Sequence, residues 1–177
     1  MIETVEGDIL ELFTHQKYTG TVHGCNCFHI MGGGLAKVIS SRYHQALEVD
    51  KRTPRGGKDK LSTCSYTVID SNWGNKFIFN AYTQYQPGPN ASYHFAESAI
   101  TYLCRILKME VIPPGTAITA TLAMSSSLGY PSNLPNILIP KIGCGIGGLD
   151  WGKMKLMLER TIEEQDMTDC FTFVEYD

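Results

Sequence analysis

The chain reads as an α/β layered domain with a mixed central sheet flanked by helices, and three observations predict it. Short segments of strand character alternate with segments whose apolar residues recur at helical spacing, the pattern of strands packed between helices. Two glycine-rich segments, Gly32–Gly34 and Gly143–Gly148, each leave a strand and enter a helix. The 177 residues suit one core and contain no internal repeat, so 1–177 is expected to form a single domain.

The elements follow in order. Ile2 to Glu6 alternates apolar and polar residues as a strand with one buried face, and Gly7-Asp8 ends it. Thr19 to His23 is a second short strand running into Gly24. After the glycine triplet, Leu35, Val38 and Ile39 fall on one face of a helix expected over Gly34 to about Tyr43. The polar stretch Lys51 to Lys60, with Pro54, Gly56 and Gly57, is expected to be an exposed loop. Thr63–Ile69 and Lys76–Ala81 pair around the turn Asp70 to Asn75. Ser92 is placed to cap a helix carrying Phe95, Ala99, Ile100, Leu103 and Leu107. A strand is expected within Val111 to Thr121, then a polar loop from Ser125 to Asn136. Ile137–Ile139 is a buried strand emptying into the second glycine segment. Asp150 can cap a helix beginning at Trp151, and Phe171 to Tyr176 closes the chain as a strand.

Composition bounds the function. A net charge of -3 and a pI near 5.9 supply no basic field for binding duplexes through their phosphates. The acidic N-terminus does not read as a secretory signal, and no stretch has the apolar length of a membrane span. Six cysteines without a CxxC pair are expected as reduced thiols of a cytoplasmic protein. His23, Cys25, Cys27 and His29 match no tetrahedral zinc spacing, so no metal is expected. The basic residues of the 51–60 loop, Lys51, Arg52, Arg55, Lys58 and Lys60, read as a solvated surface before they read as a nucleic-acid contact.

The glycine segments carry the chemistry. Met31-Gly32-Gly33-Gly34-Leu35-Ala36 puts backbone N–H groups without obstructing side chains at a helix start, where the dipole favours an anion. Gly143-Cys144-Gly145-Ile146-Gly147-Gly148 repeats the arrangement. Two such loops in one small domain suggest a ligand with a diphosphate. Neither is followed by GK[ST], and no GxGxxG with a downstream acid is present, which counts against nucleoside-triphosphate hydrolysis and nicotinamide redox chemistry.

Three motifs in this order resemble the macrodomain family: Gly7-Asp8-Ile9-Leu10; Val22 to Cys27 running into Met31–Ala36; and Ile139 to Trp151. The chain is most similar to the branch holding the terminal ADP-ribose protein glycohydrolase, the DarG antitoxin macrodomain and the yeast-type ADP-ribose 1''-phosphate phosphatase. The resemblance implies a three-layer α/β/α fold that binds ADP-ribose or a derivative without a cofactor. Asp8 would accept from the adenine amino group, with Ile9 beside it and Tyr176 flanking the base. Asn26 would reach the distal ribose, Met31 and Gly32–Leu35 would grip that end, and Gly143, Cys144, Gly145, Ile146 and Gly147 would line the diphosphate.

The resemblance also marks departures. The glycohydrolases use a lysine where this chain has Gln84, which has no amine to attack the anomeric carbon, and an aspartate where it has Gly147. The phosphatase-like members carry a histidine where this chain has His23, so His23 with Asn26 is the expected catalytic pair, with His29 a weaker, solvent-facing candidate. The favoured expectation is hydrolysis of ADP-ribose 1''-phosphate to ADP-ribose and phosphate. The alternatives are a non-catalytic ADP-ribose reader and an ADP-ribosyl hydrolase acting on modified protein or nucleic acid.

Overall fold

The computed structural model describes residues 1–108 and 135–176. Among them, strands β1 (Glu3–Glu6), β2 (Gly20–Asn26), β3 (Cys64–Ser71), β4 (Gly74–Gln84), β5 (Ile137–Ile139) and β6 (Phe171–Glu175) form one sheet in the order β1-β6-β5-β2-β4-β3. Every neighbouring pair is parallel except β3–β4. That pair is antiparallel because only Asn72-Trp73 separates Ser71 from Gly74, and Gly74, at φ +93°, supplies the left-handed turn. The strand expected within Val111 to Thr121 and the loop from Ser125 to residue 134 lie outside the described residues.

Alternation along β4 shows how the sheet divides two cores. Phe77, Phe79 and Ala81 face helices α4 (Tyr93–Leu107) and α5 (Trp151–Glu164). Ile78 faces α1 (Ile9–Thr14), α2 (Gly34–Arg42) and α3 (Gln45–Lys51), and Asn80 reaches the Ala46 carbonyl in the same layer. Helix α4 buries Ala96, Ala99, Ile100, Leu103, Cys104 and Leu107, a repeat of three and four residues that makes one continuous apolar face. The result is the expected α/β/α sandwich.

Helices α1 and α3 are short and were not expected. Helix α1 is set by Asp8, whose Oδ1 accepts from Leu10 N (2.8 Å) and Glu11 N (3.1 Å). Its far end is held by Lys76, whose buried ammonium donates to the carbonyls of Phe13 (2.6 Å) and Tyr18 (2.8 Å). The 51–60 segment also needs correction. It ends in a single 3-10 turn, Lys58–Lys60, and Lys60 points inward rather than into solvent. Its Nζ donates to Asp50 Oδ1 (3.2 Å) of α3 and to the Cys27 carbonyl (3.4 Å). Arg55 lies over the Phe28 ring and Lys58 over Tyr85, at 5.5 Å each, so the segment is docked on the body of the protein.

Ser92 precedes α4 as expected, but its side chain makes no capping bond. Asp150 does cap α5, with Oδ1 accepting from Lys153 N at 2.8 Å. Trp151 packs edge-on against Phe173 and donates from Nε1 to Glu175 (3.1 Å).

Candidate functional site

A cleft of about 950 Å³ runs along the carboxyl ends of β1, β6, β5, β2 and β4. Open α/β sheets leave ligand crevices at this edge, because the loops there lead into helix N-termini. Four strand spacings separate β1 from β4, about 19 Å, so the cleft suits an elongated ligand with distinct ends.

At the β1 end stand Asp8, Ile9, Val174 and Tyr176. The Asp8 carboxylate spends Oδ1 on capping α1, while Oδ2 has no partner among the described residues and remains an acceptor. Capping and ligand-facing roles therefore coexist in one side chain. Tyr176 is exposed, and its carbonyl accepts from Lys141 Nζ (3.1 Å) across the mouth of the cleft.

The middle is formed by the two glycine segments. Gly32, Gly33, Gly34 and Leu35 line one wall, and Gly143, Cys144, Gly145, Ile146 and Gly147 the other. Among the described residues the N–H groups of Gly32, Gly33, Gly143, Gly145, Ile146 and Gly147 have no acceptor. The first turn of α2 adds further unpaired amides. Ile146, 57% exposed, reaches across: a Cβ on Gly33 would meet its Cδ1 at 2.7 Å. The two walls thus close over the groove at that point. Gly147 is fixed as glycine by contact, since a Cβ there would sit 2.5 Å from the Gly143 carbonyl and 2.7 Å from Ala91 Cβ.

Asn26, Thr83 and Gln84 line the β2–β4 end, against a wall formed by Pro87 and Gly88. The Asn26 amide shapes its own loop: Nδ2 donates to the Ile30 carbonyl (2.7 Å) and Oδ1 accepts from Phe28 N (2.9 Å). Gln84 Nε2 donates to the carbonyls of Gln86 (2.8 Å) and Gly88 (3.2 Å), holding the opposite loop. Cys144 shows a thiol in a poor setting for a nucleophile, because burial and the nearby Asp150 push it up to about 11.

Three expected residues fall elsewhere. His23 is 1% exposed and does not line the cleft, so the expectation of a catalytic imidazole there is corrected by its position. It sits opposite Asn80 in the β2–β4 register, on the α1–α3 face of the sheet. Asn80 Nδ2 donates to Ala46 O (2.9 Å) and Ser65 Oγ (3.0 Å), which leaves Oδ1 to accept from His23 Nε2 at 2.7 Å. Burial holds the imidazole neutral, with its pKa down at about 4. Met31 is likewise buried below the first loop, packed with Cys25 and Tyr82. His29 is not solvent-facing: its side chain is 11% exposed and its Nε2 lies 3.3 Å from Thr53 Oγ1 and 3.8 Å from Asp50 Oδ1.

Thr83 escaped the sequence reading. The available signal was its place at the carboxyl end of a central strand, where side chains meet the ligand edge. Pro87 and Gly88 gave only a loop signal.

The chain has the macrodomain fold. Among solved structures, the macrodomain of Mycobacterium tuberculosis DarG superposes with a TM-score of 0.68 over 99% of this chain and 97% of that one, at 19% identity. Thermosipho africanus DarTG in complex with ADP-ribose gives 0.67 at 14% identity, over 99% of this chain and 42% of that longer one. A macrodomain protein from Streptomyces coelicolor gives 0.59 at 17% identity, over 100% of this chain and 99% of that one. No family model matches the sequence. By sequence, the chain belongs to the family of an uncharacterized 17.5 kDa protein from the tk-vs intergenic region of enterobacteria phage T4, which is 32% identical over 162 residues, 90% of this chain and 88% of that protein. Among the described residues, no helix is long and apolar enough to cross a membrane.

Proposed function

We propose that this macrodomain binds ADP-ribose, with the adenine at Asp8 and Tyr176, the diphosphate between the two glycine loops, and the second sugar at Asn26 and Gln84. The observation that carries the reading is the set of six unpaired amides on loop residues that line one groove, with an acceptor carboxylate at one end. Amides so placed favour phosphate oxygens without needing lysines. The DarTG complex supports the choice of ligand, since that longer chain, which contains this fold, is in complex with ADP-ribose.

For chemistry, we favour a reader of ADP-ribose carried on a protein or nucleic acid. Asn26, Thr83 and Gln84 at the distal end include no titratable group, and His23 is buried and does not line the cleft. The second reading is hydrolysis of ADP-ribose 1''-phosphate. It is favoured by the number of amide donors, which suits the charged oxygens of a phosphoryl group in transfer to water. In that case the proton carrier is a water, not His23.

Calorimetric titration with ADP-ribose tests the binding reading. Asp8→Ala is expected to weaken binding about tenfold, and absence of wild-type binding at millimolar ligand would overturn it. Phosphate release from ADP-ribose 1''-phosphate separates the two chemical readings. Turnover that exceeds the uncatalysed rate, with kcat/KM lowered about tenfold in Asp8→Ala, selects the phosphatase, and no turnover selects the reader.

A further inference from the structure

The floor of the cleft at its β2–β4 end holds a buried hydroxyl that neither the fold nor the loops account for. Thr83 is 0% exposed, and its Oγ1 has no hydrogen-bond partner among the described residues. A buried hydroxyl left unpaired carries a desolvation cost, so its location calls for a partner. The partner site is visible in what surrounds Gly24. A Cβ on that residue would lie 3.0 Å from Thr83 Oγ1, 3.5 Å from Ile142 Cγ1 and 3.7 Å from Gly143 N, an amide that also lacks an acceptor among the described residues. Gly24, Thr83 and Gly143 all line the cleft. A hydroxyl, an N–H donor and an absent side chain therefore converge on one small cradle with the Ile142 side chain at its wall.

The sheet order says which part of a ligand meets it. Asp8 follows β1, whereas Thr83 lies next to the last residue of β4, four strands away across β6, β5 and β2. Resting on the ADP-ribose reading above, we propose that Thr83 is a specificity-determining residue whose hydroxyl, with the Gly143 amide, binds a hydroxyl oxygen of the second sugar in the cradle kept open by Gly24. A sugar hydroxyl both donates and accepts, as does Thr83, so the pair can satisfy one another while the amide donates to the same oxygen. ADP carries no second sugar and leaves this contact unmade.

Calorimetric titration of wild type, Thr83→Val, Thr83→Ser and Gly24→Ala with ADP-ribose and with ADP provides the test. Thr83→Val keeps the shape and removes the hydroxyl. It is expected to weaken ADP-ribose about fivefold to tenfold and to change ADP less than about twofold. Thr83→Ser restores most of the ADP-ribose affinity. Gly24→Ala, which fills the cradle, reproduces the selective loss. Equal losses for both ligands in Thr83→Val, or no loss for either, overturn the assignment while leaving the ADP-ribose reading in place. Failure of wild type to bind either ligand overturns both.

Discussion

Gly147 owes its identity to its neighbours. The second loop folds back so tightly that any side chain would enter the Gly143 carbonyl and the Ala91 methyl. The Ala91 N–H also donates to the Gly147 carbonyl (3.2 Å), which ties this loop to the one following β4. Gly147→Asp is therefore expected to displace the loop rather than install a carboxylate in the groove. The expected cost is about 1–3 kcal/mol, read as a Tm lower by roughly 2–10 °C together with weakened ADP-ribose binding. An unchanged Tm would show that the loop relaxes freely. The cysteines follow the same residue-level logic. Burial raises the thiol of Cys25 well above its ordinary value and takes Cys104 up to about 12. Slow labelling by a thiol reagent at pH 7.5 is expected in the folded protein and rapid labelling of all six thiols in denaturant.

Between elements, the contacts that matter are polar and buried. Helix α3 is joined to β4 through Asp50, whose Oδ1 accepts from Tyr82 Oη (2.8 Å) and Lys60 Nζ (3.2 Å). Removing the lysine leaves that carboxylate buried without its counter-charge. Lys60→Met is expected to cost about 3–5 kcal/mol, and Asp50→Asn in the same chain to recover part of it. Denaturant midpoints of the two variants measure both terms. Strands β2 and β4 are joined by the His23–Asn80 bond, and burial of that imidazole, which outweighs the bond's opposite pull, makes stability depend on pH. The imidazole has a pKa of about 4 when folded against 6.5 as its ordinary value, so between those limits the unfolded chain binds more protons. Stability from this residue is fully present above pH 6.5 and falls as the pH drops toward 4. His23→Gln removes that contribution, and its stability curve between pH 7 and 4.5 is expected to be flatter than that of wild type. Parallel curves would exclude His23 as the source.

For the whole molecule, net charge and local field oppose one another. The chain carries -3 overall, yet the groove presents amide dipoles that attract anions. Long-range repulsion is screened by salt, whereas short contacts to partly buried amides are not. ADP-ribose affinity is therefore expected to stay flat or rise slightly between 50 and 500 mM NaCl. A steep fall would mean that lysine contacts, with Lys141 the first candidate, dominate binding.

What the residues alone determined is local in origin. A strand that empties into glycines before a helix is written in consecutive positions, so both loops, the Asp150 cap and most strands were legible. The three motifs together identified the macrodomain fold. Other features depended on residues far apart in sequence. His23 follows Val22 in a strand buried on both faces, and apolar patterning cannot say which face meets a ligand. His23 lies buried on the α1–α3 face, bonded to Asn80, 57 positions away. Lys60 read as surface because charge prefers water; Asp50 and Tyr82 supply the buried partners that reverse this. Thr83 is an ordinary strand threonine until Gly24 and Gly143 are brought beside it. Sequence spacing fixes hydrogen bonds that close within a turn, and tertiary packing alone decides which side chain faces the groove.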